Sequence, residues 1–174
     1  KIRSKILPSE MHYTYEISDD AEKFTVDIFS KIDSYIDLDF MRVDSPSKAM
    51  IKIFKTNPWD GNSGLMTEDL SSQKYRVEIA WSEGQFKYPK LKKYPTLSLD
   101  SAYTIVHEIA HALGLEHAGC GQYCKFNIDP YDTRINTRDT VMSYNTLLYK
   151  NNSKFLTDLD IKSLRQIWGV ETEN

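Results

Sequence analysis

The stretch His107-Glu108-Ile109-Ala110-His111-Ala112-Leu113-Gly114-Leu115-Glu116-His117 holds three of the chain's four histidines. Ala102, Val106, Ile109 and Leu113 recur at helical spacing, which predicts a helix from Ser98 or Asp100 to Leu113. On a helix, residues four apart are rotated by only about 40°. His107 and His111 therefore project side by side and can bind one ion through two imidazoles. Glu108 lies on an adjoining flank, from which its carboxylate can reach a water on that ion without being a ligand. Gly114 tolerates a left-handed backbone, so the helix can stop there and the chain can turn. His117 can then swing back as a third ligand. Had the helix continued, His117 would lie about 9 Å along the axis from His111, too far to share an ion.

Three neutral imidazoles with an open fourth position describe catalytic rather than structural zinc. Such an ion lowers the pKa of its water to roughly 7 and polarises a carbonyl. Glu108 is then the natural general base.

Working outward, residues 12–17 alternate, with Tyr13, Tyr15 and Ile17 on one face, and read as a strand. Asp19 opens a helix, with Glu22 as a capping-box partner. Ala21, Phe24, Ile28, Ile32 and Tyr35 form its apolar stripe. Residues 38–43 and 50–54 look like short strands, and residues 57–64 like a loop. Tyr75, Val77, Ile79 and Trp81 alternate with Arg76, Glu78 and Ala80, which reads as a half-buried strand. A last helix starts at Thr157, with Asp160 in the capping-box position, and stops at Gly169. Ile161, Leu164, Ile167 and Trp168 make its apolar face. Some forty residues of little periodicity precede it, a length that inside a compact domain usually serves a site. The order describes an α+β fold.

The chain of 174 residues is long enough for one domain with its own core. Two lobes are expected, about 1–114 and about 115–174. Hydrophobic residues at 40% and charged residues at 27% are ordinary for a globular protein. The net charge of −3 argues against a nucleic-acid partner. One lysine group, Lys87, Lys90, Lys92 and Lys93, reads as a solvated loop. No apolar run reaches the ~18 residues that a membrane span needs. The chain opens on Lys1 rather than Met, so a missing signal peptide says nothing of the compartment.

Cys120 and Cys124 are the only cysteines. They are compatible with a small disulfide, two thiols or half of a metal site. The disulfide, and with it an extracellular location, is the expectation. Asp129, Asp132 and Asp139 offer oxygen ligands that could hold calcium, or a merely polar loop.

The histidine segment, followed by Thr140-Val141-Met142-Ser143-Tyr144, resembles the metzincin clan of zinc metalloendopeptidases, with their later Met-turn. The resemblance runs from about residue 97 to 169 and is strongest to serralysins and matrixins. It implies a zincin-like catalytic domain with a twisted mixed sheet, an edge strand that pairs with an extended substrate, an active-site helix, a Met-turn and a C-terminal helix. It implies zinc on His107, His111 and His117, with Glu108 as base and Met142 as a hydrophobic floor. Tyr144 would be an additional, displaceable ligand and a donor to the oxyanion. Residues 145–148 would wall the substrate pocket, and Asp158 and Asp160 would anchor a trimmed N-terminus. Protein or peptide substrates, a monomer and secretion follow by the same analogy.

The chain also departs from those families. Ala118 follows the third histidine where serralysins usually carry Pro. There are no Gly/Asp-rich calcium repeats and no latency cysteine motif. Only His12 is left for a matrixin-type structural zinc. The alternative is a catalytically silent metal-binding recognition domain of the same fold. Its sequence signature would be a missing base or ligand, and none is missing.

Overall fold

A computed structural model describes residues 14–57, 64–68, 76–82, 88–118, 134–145 and 155–172. Among them the order is β1 (Thr14–Tyr15), α1 (Asp19–Asp33), β2 (Ile51–Thr56), β3 (Gly64–Glu68), β4 (Val77–Ser82), α2 (Leu99–Ala112) and α3 (Asp158–Trp168). The strands form one open mixed sheet in the order β1-β2-β4-β3. β2 and β4 run parallel, and the outer strands β1 and β3 pair antiparallel to them. This is an α+β fold.

β4 lies in the interior of the sheet and is buried along its whole length. Its alternating sequence predicts one solvated face, which it does not have. Ala80 packs inside, and Glu78 is buried with Lys52 Nζ at 3.3 Å from its carboxylate. Pairing on both sides, together with cover on both faces, overrides the period-two pattern. β3 begins inside the stretch read as loop and extends beyond it.

Residues 38–43 do not form the expected strand. The Phe40 N–H is taken by the Asp33 carboxylate at 2.9 Å, and the Leu38 N–H by the Ile36 carbonyl. Both amides are thus spent locally, and neither is left for a ladder. Phe40 packs on Phe29 of α1 instead.

α1 buries the stripe Ala21, Phe24, Ile28 and Ile32. Its N-cap is Ser18, whose hydroxyl accepts the Ala21 N–H, so Glu22 falls one place past the capping-box position. The Glu22 carboxylate pairs with exposed Arg42 instead. α2 starts from a similar serine cap, Ser98, and packs against β3, β4 and α1. It is buried nearly all round: Ile105, Val106, Ile109 and Ala110 are wholly enclosed with Ile79 and Trp81. α3 carries the full capping box of Thr157 and Asp160 and ends at Gly169, φ 92°. Leu164 is its buried anchor, with Ile161 and Trp168 packed against the core. Ile167, expected on that face, is half exposed. No described helix is long and apolar enough to cross a membrane.

Ile105 is fully enclosed in the cluster that joins α2 to the sheet. Ile105→Ala should therefore cost about 2–5 kcal/mol of folding stability. Urea unfolding measures this, and a loss below ~1 kcal/mol would mean the site collapses freely around the cavity.

Candidate metal centre

α2 delivers the first two histidines on one face, as four-residue spacing dictates. The helix then ends in a closed turn. The Leu115 N–H bonds to the Ala110 carbonyl and the Gly114 N–H to the His111 carbonyl, at 3.0 and 2.9 Å. This is the Schellman arrangement, and Gly114 takes the left-handed position at φ 95° that a side chain would strain. After that turn the chain comes back, and His117 reaches both helical histidines. His117 Nε2 lies 3.1 Å from His107 Nε2 and 2.9 Å from His111 Nε2. The three histidines lie close together and could hold a metal ion.

The opposite ring nitrogens say which tautomers are present. His107 Nδ1 is 2.7 Å from the Val141 carbonyl, and His111 Nδ1 is 2.8 Å from the Leu115 carbonyl. A carbonyl only accepts, so each Nδ1 carries the proton and each Nε2 presents a lone pair. His117 Nδ1 is 2.9 Å from the Tyr144 hydroxyl, which can accept its proton in the same way. Three lone pairs then face one another across a small space. That arrangement is repulsive unless a cation stands between them. Tetrahedral zinc at ~2.0–2.1 Å from each nitrogen would set the nitrogens about 3.3 Å apart, within a few tenths of what is seen. The residues therefore fit such an ion.

Burial pushes His107 down to about 4 and His117 down to about 3, in both cases aided by neighbouring histidines. Burial also lowers His111. All three are thus neutral and ready to ligate at neutral pH. Glu108 moves the other way: burial raises it to about 8, against the Met66 main-chain amide, which favours the charged form. On its own this leaves most of Glu108 protonated at neutral pH, and a cation held by the neighbouring histidines would favour its carboxylate form.

The segment carrying Met142 is tied to the site at both ends. The Ala118 N–H bonds to the Met142 carbonyl at 3.1 Å, and Met142 itself is buried in the core. The Val141 carbonyl, which orients His107, also accepts from the Tyr103 hydroxyl at 2.7 Å. Val141 is in turn held by Asp160 of α3, nearly fully buried, whose carboxylate takes the Val141 N–H at 3.0 Å. The same carboxylate takes the Thr140 hydroxyl and the Thr157 N–H. Asp160 thus does two jobs: it caps α3 and it locks the turn that aims His107.

Tyr103 and the second role of Asp160 carry no signal in the sequence. For Asp160 only the cap is signalled, by the Thr157-x-x-Asp160 spacing. Asp139 spends its carboxylate on the Asn136 N–H at 3.0 Å. Asp129 and Asp132, the other two expected calcium ligands, lie outside the described residues, as do Cys120, Cys124 and His12. Of the expected pocket wall at 145–148, only Asn145 is described. Among the described residues the three histidines are the only such ligand cluster. No protein-family profile matches the chain, and no curated protein matches it.

Asp160→Ala should strand three donors and loosen the turn behind His107. The expected result is a stability loss of roughly 2–4 kcal/mol and zinc affinity reduced roughly 10–100-fold. Asp160→Asn should be milder, because the Thr140 hydroxyl can rotate to accept from the new amide. Competitive zinc titration alongside urea unfolding reads both. Parent-like affinity in Asp160→Ala would show that the turn does not set the ligand.

Proposed function

We propose that this protein is a zinc-dependent endopeptidase of the metzincin kind. The observation that carries the reading is the convergence of three imidazole Nε2 atoms beside a buried carboxylate, Glu108, that is not one of them. A structural site would close its fourth position with a further His or Cys. Among the described residues no fourth His, Cys, Asp or Glu stands with these three.

His107, His111 and His117 would hold the ion. Zinc suits an all-nitrogen set of neutral imidazoles. Bound there, it supplies Lewis acidity that polarises a peptide carbonyl and acidifies a water.

The chain's own groups supply the rest. Glu108 accepts the proton of the attacking water on a carboxylate oxygen and returns it to the leaving amine nitrogen. Its low solvent exposure keeps that proton from exchanging with bulk water. The Tyr144 phenol, expected as an additional ligand, lies instead behind the His117 ring against Nδ1, where it braces that histidine. To donate to the oxygen that gains charge as the carbonyl carbon becomes tetrahedral, it would have to swing to the open side. β3 ends the sheet on the side of α2, and an extended peptide could add there as a further strand. Met142 supports the reading as the buried centre of the turn that braces His107. Secretion and a Cys120–Cys124 disulfide accord with such an enzyme.

The decisive comparison is Glu108→Gln against the parent, both zinc-loaded, on a library of protein-derived peptides with mass-spectrometric readout. We expect internal cleavage by the parent, its abolition by a chelator and its recovery with zinc. We expect kcat/KM in the variant to fall about 10²–10⁴-fold with zinc still bound. Equal cleavage by both proteins would remove Glu108 from the mechanism. A zinc-loaded parent that cleaves nothing would favour a recognition domain without turnover.

A further inference from the structure

Gly64, the first residue of β3, stands over Glu108. An ideal Cβ placed on it would lie 2.6 Å from Thr104 Cγ2, 2.8 Å from Glu108 Cγ and closer still to Glu108 Oε1. Real carbon contacts do not come so near. Both α2 side chains are nearly buried, at 6% and 5% exposure, and have little room to withdraw. Unlike Gly114 and Gly169, Gly64 does not have a left-handed backbone. Its dihedrals therefore do not call for glycine, and what calls for it is space.

The orientation of β3 gives this notch its meaning. The Val77 N–H points to β2, where it meets the Met50 carbonyl. Main-chain groups alternate along a strand, so Ile79 and Trp81 also point to β2, while Glu78 and Ala80 point to β3. Thr67 and Leu65, opposite Glu78 and Ala80, are thus the bonded partners. Gly64, Met66 and Glu68 direct their N–H and C=O groups outward, to the edge that no described strand covers, and the outward N–H of Met66 is the one that Glu108 takes. The residue that makes room for the Glu108 carboxylate therefore also presents a main-chain donor and acceptor to any chain added at that edge.

We propose that Gly64 is a positioning residue for Glu108: the absent side chain forms a notch in the edge strand in which the carboxylate is seated. Strand and carboxylate then keep one relative position, and a peptide that pairs with β3 is registered against the group that must take its proton. This builds on the endopeptidase reading, in which Glu108 is the base.

The test is Gly64→Ala in the zinc-loaded full chain, with two readouts. On a peptide that the parent cleaves, kcat should fall roughly 100-fold, the effect of a ~1 Å misplacement, with KM changed less than about threefold and zinc retained. Unchanged kcat would overturn the proposal. The second readout is thermal unfolding of Gly64→Ala in the parent and in a Glu108→Ala background. The loss of Tm should shrink by at least half when Glu108 is trimmed, because two of the three obstructing atoms are gone. An equal loss in both backgrounds would overturn the seating, as would a Gly64→Ala chain that folds in neither. Folding only with Glu108 trimmed is the extreme form of the expected coupling. If the parent cleaves no peptide, the endopeptidase reading falls, while the paired melting curves still decide whether Gly64 seats Glu108.

Discussion

Three lone pairs aimed at one point are the constraint on which the rest of this structure turns. His117 brings its Nε2 to 3.1 Å from that of His107 and 2.9 Å from that of His111. Left alone the three would repel and part. They are kept together by what stands behind each ring: the Val141 carbonyl, the Leu115 carbonyl and the Tyr144 hydroxyl. The two carbonyls fix the tautomers of His107 and His111, the hydroxyl can accept from His117 in the same way, and together they leave a cation-sized space lined with nitrogen. Burial adds to this by holding the rings neutral.

The supports behind the rings are drawn from most of the fold. Leu115 belongs to the turn that Gly114 permits at the end of α2. Val141 is clamped by Asp160, and so by the capping box of α3. Trp168, at the far end of α3, returns its indole N–H to the Leu113 carbonyl at 2.8 Å. α3 therefore grips the site twice, at the turn that aims His107 and at the turn that ends α2. Glu108 is held from the other side, where the sheet ends in β3. The ligands stand on helix and turn, and the carboxylate stands between helix and strand. The histidine cluster and the Glu108 carboxylate thus draw on separate supports, although His107 and Glu108 are adjacent in the chain.

Much of this is legible in the sequence where one residue type has one use. The four-residue spacing of His107 and His111, the glycine at 114 and the Thr157/Asp160 capping box each name a local geometry, and each geometry is present. Patterns with more than one physical solution are less informative. Residues 38–43 have strand composition, but the Asp33 side chain competes for the Phe40 amide. β4 alternates in sequence, yet tertiary cover buries both faces. The parts that complete the site are the hardest to anticipate. The carbonyls of Val141 and Leu115 have no sequence signature at all. Asp160 advertises only its cap, and Tyr103 reads as one more helical aromatic. Gly64 looks like loop chemistry because its reason, the side chains of Thr104 and Glu108, lies about forty residues further on.

A mononuclear centre with three imidazole ligands has a distinct signature in X-ray absorption at the zinc K-edge. The full chain with one equivalent of zinc should show a first shell of nitrogen and oxygen at about 2.0–2.1 Å. The outer-shell scattering should match three imidazole rings. A sulfur shell at about 2.3 Å, a ring count below three, or zinc left in free solution would contradict it.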